Sequence, residues 1–152
     1  MINFKEMQDF EVIKEIKKDF YRYRNGIVAD SLKKLYPPKT IIFGLIVPQF
    51  LELSIKYSKD INLGLQLWND KNCRESRLLS LYIIPPSELD KKTAMEMIRN
   101  VNSSEIAEFL AFRILRNLNK AREVLQEIER ENITEPLPSY CISMFKKNLL
   151  SQ

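Results

Sequence analysis

"LWNDKNCRESRLLSLYII", residues 67–84, sets two arginines and a glutamate directly before an almost unbroken apolar run. Asn72 and Glu75 stand in the N-x-x-E spacing of a capping box, where side chains at both positions satisfy free amides at a helix start. The spacing predicts a helix from Cys73 to about Ile84, packed through Leu78, Leu79, Leu81, Tyr82 and Ile84 and ended by Pro85 and Pro86. Arg74 and Arg77 then face solvent, pair with Glu75 or Asp70, or contact phosphates. The last option draws on the partial positive charge of a helix N-terminus. The same spacing recurs downstream. Ser87 with Asp90 predicts a helix over 88–99, and Asn102 with Glu105 predicts one from Ser103 to at least Arg116.

Outward from this centre the pattern stays helical. Met7, Phe10, Ile13, Ile16 and Phe20 fall at steps of three and four and predict one buried stripe on a helix over 4–24. A short helix over 27–35 follows, stopped by "PPKT" at 37–40. Residues 41–47 read as a buried loop or turn, with Gly44 interrupting a strand-like run and Pro48 suited to the first turn of a helix over 48–58. Asp60 caps a helix over 61–69 whose apolar positions include Leu63, Leu67 and Trp68, with Trp68 in the core. Arg113, Arg116 and Lys120 share one face if the helix is continuous; Asn117 and Asn119 split them if it breaks. A helix over 120–129, a linker at 133–138 and an amphipathic helix over 139–150 complete the chain.

The class is therefore all-α, a single domain over residues 1–152. Helices 61–69 with 73–84, and 88–99 with 103–116, have matching lengths. Such pairs bury both faces only by stacking, which predicts a short α-α superhelix; an irregular helical bundle is the alternative.

Composition bounds the function. The 152 residues are 45% hydrophobic and 29% charged, as in folded domains, and only three are glycine. A net charge of +4 permits an anionic partner without demanding one. Histidine is absent, which excludes a Ser-His-Asp triad, a Cys-His pair and a histidine-ligated zinc site. Cys73 and Cys141 lack metal spacing and suit a reduced, cytoplasmic setting. Charge appears too early in "MINFKEMQDF" for a signal peptide, and the apolar run 41–48 is too short to span a bilayer. No membrane partner is expected.

The segments "IIFGLIVPQFLELSIKYSK" (41–59), "LQLWNDKNCRESRLLSLYII" (65–84) and "NVNSSEIAEFLAFRIL" (100–115) together resemble the AlkD-type DNA-alkylation-repair glycosylases, in that order and spacing. Gly44, Val47, Pro48, Leu67, Trp68, Glu75, Arg77 and Leu78 carry the resemblance. It implies HEAT-like helical hairpins, a basic concave face that carries duplex DNA, and no metal or organic cofactor. It also implies excision of alkylated purines by hydrolysis of the N-glycosidic bond, with a helix carboxylate stabilising the sugar cation. The corresponding carboxylate here is Glu108, in place of an aspartate, and Ser104 stands where the family has a tryptophan. Arg74, Arg77, Arg113, Arg116 and Lys120 become the DNA-binding candidates, and Gly44, Pro48, Trp68 and Glu75 the structural ones. The leading expectation is DNA binding through a basic face without catalysis. The alternatives are an active glycosylase using Glu108 and a protein–protein scaffold.

Overall fold

Apolar residues at helical spacing, separated by prolines and capping residues, fold as they read. The computed structural model describes residues 4–152, and those residues form nine α-helices and no strand. They are α1 (Phe4–Arg22), α2 (Gly26–Leu32), α3 (Val47–Tyr57), α4 (Ile61–Asn69) and α5 (Arg74–Ile83). Then come α6 (Lys91–Arg99), α7 (Ser104–Phe109), α8 (Ala121–Arg130) and α9 (Pro136–Leu150). The linker expected at 133–138 is shorter than its composition suggested, because Pro136 opens α9. Pro48 lies in the first turn of α3, as expected, just after Val47 opens it, and Asp60 caps α4 by accepting from the Asn62 and Leu63 amides at 2.9 and 3.1 Å.

The capping boxes are a correction. Helix α5 does start after Cys73, but no side chain caps it. Glu75 turns away from its own helix. Its carboxylate accepts from the backbone amides of Phe43 at 2.9 Å, Gly44 at 3.0 Å and Leu45 at 3.4 Å. Likewise Ser103, rather than Asn102, caps α7 by accepting from the Ile106 amide at 3.0 Å, and Asp90 caps α6 through the Thr93 amide at 2.7 Å. Glu105 is thereby free to reach Arg74.

Arg74 joins these acids into one buried network. Its guanidinium donates to Glu105 from Nε at 2.7 Å and from a second nitrogen at 3.0 Å. The third nitrogen donates to Glu75 at 2.6 Å and to the Leu45 carbonyl at 3.0 Å. The Tyr36 hydroxyl donates to Glu105 from the other side. Burial opposes the charge on Arg74, but Glu105 and Glu75 outweigh it and hold the guanidinium above its ordinary pKa. The loop over 36–46 is thus tied to α5 by ions, and also by backbone, since Ile41 donates to Asn72 at 2.7 Å and accepts from Arg74 at 3.0 Å. Gly44 sits at φ +93°, where a Cβ would lie 2.3 Å from the Asn25 carbonyl oxygen, so the loop admits only glycine there.

Arg77 has a similar role nearby on α5. It is buried, its guanidinium carbon lies 4.1 Å from the centre of the Trp68 ring, and it donates to the Trp68 and Asn100 carbonyls at 2.9 and 2.6 Å. Those carbonyls end α4 and α6, where the helix dipole favours a cation. Burial pushes its pKa down to about 10.

Helices α3, α5 and α7 lie side by side. Their rings form a ladder, with Phe50 stacked on Tyr82 at 5.7 Å and Phe109 tilted against Tyr82 at 6.5 Å. Helix α4 packs on α5, so the first expected hairpin is present. The second is rearranged. Both α6 and α7 pack on α9, which buries Cys141, Phe145 and Leu149 among them and also meets α8. The stripe on α1 is half as long as expected: Ile16 and Phe20 are fully buried, whereas Met7 and Phe10 are each 57% exposed. No helix among the described residues is long and apolar enough to cross a membrane.

Two substitutions check this reading. Glu75→Gln puts an amide nitrogen against backbone donors and should cost about 3–5 kcal/mol in urea unfolding; an unchanged midpoint would remove Glu75 from this role. Asp19 is buried between Tyr57, Lys56 and Arg22. Burial raises its pKa, but those three partners together bring it below the ordinary carboxylate value. A lowered native pKa adds stability above the unfolded value, near 4, and loses it as pH falls through the native one. The unfolding midpoint of Asp19→Asn should therefore fall less steeply than wild type below about pH 4.

Candidate functional site

Where α7 ends, the backbone leaves α-geometry. A π turn covers Leu110–Ile114 and a 3₁₀ turn covers Leu115–Asn117. The freed carbonyls are met locally: the Asn117 side chain donates to Arg113 at 3.0 Å and Phe112 at 3.4 Å. Such π turns are frequent at functional sites. This one brings Phe112, Arg113 and Arg116 to a cleft of about 360 Å³ beside the C-terminal end of α5. Leu81, Ile84, Pro86, Ser87 and Asn117 also line it, and Lys59 joins them from the turn between α3 and α4.

The cleft is cationic. Lys59, Arg113 and Arg116 line it, and no aspartate or glutamate does. Among the described residues none of the three forms a salt bridge. The carbonyl end of α5 supplies some of the counter-charge, through an Arg113 Nε–H donated to Leu81 at 3.3 Å. Burial, with the adjacent Arg116 charge adding to it, lowers the Arg113 pKa. Arg116 Nε is buried with no hydrogen-bond partner among the described residues.

Aromatic rings hold both guanidinium planes. Arg113 lies 3.7 Å from the centre of the buried Tyr82 ring, and Arg116 lies 3.7 Å from that of Phe112. Each is a cation–π contact. Lys59 is presented differently. Ser58, just before it, adopts φ 63° and ψ 162°, a region nearly reserved for glycine that costs of order 1–3 kcal/mol.

The residues singled out in the sequence do not gather here as a group. Arg113 and Arg116 do. Arg74 and Arg77, expected at a DNA surface, are 5% and 4% exposed and spend their donors on the core, which corrects that expectation. Lys120 is separated by the break at Asn117, takes a left-handed backbone at φ 56°, and lines a different groove with Glu123 and Glu127. Glu108 is exposed and accepts a hydrogen bond from the Tyr140 hydroxyl on α9; it does not line the cleft. The candidate arginines and Glu108 therefore do not share one face. Gly44, Trp68 and Glu75 are buried or tightly held structural residues, and Pro48 lies in the first turn of α3. Lys59 and Phe112 carried no motif; only the fold brings them to Arg113 and Arg116. No group of three histidine, cysteine, aspartate or glutamate side chains able to hold a metal occurs among the described residues.

Compared with known proteins, the chain matches no family model, no curated protein and no solved structure at a significant level.

Adjacent like charges without a counter-ion oppose each other. Arg116→Gln should therefore unfold within about 0.5 kcal/mol of wild type at low salt. Inorganic pyrophosphate, compared with chloride at equal ionic strength, should raise the wild-type melting temperature and raise that of Arg116→Gln less. Equal shifts in both proteins would place the anion elsewhere.

Proposed function

We propose that this all-α protein binds nucleic acid, DNA in the first instance, by seating backbone phosphate in the Lys59–Arg113–Arg116 cleft, and that it does so without catalysis. One observation carries the reading: three cations line a single cleft with no carboxylate among them, and two of them are locked on aromatic rings. Guanidinium groups held in this way are ready for bidentate contact with phosphate oxygens. The strained turn at Ser58 supports it as well, because such strain persists where the surroundings hold a residue in place for use.

Kinship in form with the AlkD-type glycosylases belongs to the same reading. In its favour, the residues carrying the resemblance work as partners here. Gly44 donates its amide to Glu75, and Arg77 stacks on Trp68. The contacts of α5 with α3 and α7, and of α4 with α5, also support an array of helical hairpins. Glycosylase chemistry through Glu108 and a protein-scaffold role have no comparable observation behind them.

The test is fluorescence anisotropy with a labelled DNA duplex across a salt series. Affinity should fall linearly on a log–log plot, and Arg113→Gln with Arg116→Gln should lower the slope by about two phosphate contacts. An unchanged slope would move the contact off the cleft, and equal competition by poly-glutamate would replace nucleic acid with acidic polymers at large. Release of alkylated purine from treated duplex DNA, lost in Glu108→Gln, would instead establish hydrolysis.

A further inference from the structure

The cleft holds one feature that phosphate binding does not use. Phe112 is 47% exposed, although it sits in a segment whose neighbours Ala111, Ile114 and Leu115 are completely buried. One aromatic face is occupied by the Arg116 guanidinium. Scattered exposed apolar side chains are ordinary on protein surfaces; this ring is set apart by its place among three cations at one cleft. The π turn keeps it at the cleft rather than folding it under α7.

The Arg116 guanidinium is stacked over one face of the Phe112 ring, and the ring still presents exposed aromatic surface at the cleft. Arg113 and Lys59 stand beside it at the same cleft. That pairing of a flat stacking surface with adjacent cations suits one flat heteroaromatic ring joined to a phosphate. A volume of about 360 Å³ lies near the small end of ligand pockets, the scale of a single nucleotide.

We infer that the cleft takes a single unpaired nucleotide, its base stacked on the Phe112 face that Arg116 leaves open and its phosphate held by Arg113, Arg116 and Lys59, so that the preferred partner is a single strand. This rests on the phosphate reading of the same cleft and adds the base to it. Stacking of this kind tolerates any base, because every base offers a π-face. Discrimination is therefore between base-bearing and bare backbone, not among sequences.

The experiment compares three labelled probes of equal phosphate number by anisotropy at one salt concentration: a single-stranded DNA, an abasic strand of the same length, and a duplex. Wild type should bind the base-bearing strand roughly 5- to 150-fold more tightly than the abasic one, the range expected for one stacked base. Phe112→Ala should abolish that ratio, and Phe112→Trp should preserve it. Circular dichroism and a melting curve on each variant separate loss of stacking from loss of fold. Equal wild-type affinity for base-bearing and abasic strands overturns the stacking inference and leaves phosphate binding standing. Tighter binding of duplex than of single strand also overturns it. Absence of binding to all three probes overturns both.

Discussion

Glu75 takes three amides of the 43–45 loop on one oxygen pair and the Arg74 guanidinium beside them. A carboxylate with no solvent exposure survives because four donors, three amides and one guanidinium nitrogen, reach its two oxygens. The consequence reaches across the chain. Arg74 brings in Glu105 from α7, and Glu105 brings in Tyr36 from the loop. Three segments far apart in sequence, the 36–46 loop, α5 and α7, meet at one guanidinium. Removing a member would leave an uncompensated charge in the core, so the segments hold one arrangement rather than several.

The network also sets where α3, α5 and α7 stand relative to one another. Their ring ladder, from Phe50 through Tyr82 to Phe109, follows from that alignment. Tyr82 then serves two ends. Its ring packs in the core and also supports the Arg113 guanidinium at the cleft. The candidate site is therefore not a set of loose surface side chains. One of its arginines is mounted on the same aromatic column that the buried ions align.

The two groups of arginines show opposite solutions to the same problem. Arg74 and Arg77 lie under the surface, where carboxylates and helix-end carbonyls satisfy their donors. Arg113 and Arg116 lie at a cleft, where rings hold their planes while some of their hydrogen-bonding capacity stays unused. Spacing along the chain does not separate these cases. In both pairs the second arginine follows three residues after the first.

Much of the architecture was legible from local chemistry. Apolar steps of three and four, Pro48 in a first turn, Asp60 as a cap and proline stops located the helices, because each acts within a few residues of itself. Glu75 and Glu105 misled for the same reason: their spacing fits a local cap, but a buried guanidinium is a stronger partner than one free amide. Met7 and Phe10 continue a stripe that no neighbouring helix among the described residues covers, and periodicity alone cannot say how far the packing partner extends. The amino-acid sequence by itself determined the helical class, the element order and the absence of histidine chemistry. Tertiary structure alone decided which arginines are buried, that Lys59 and Phe112 join Arg113 and Arg116, and that Glu108 lies apart from them, because burial and convergence depend on contacts between residues tens of positions apart.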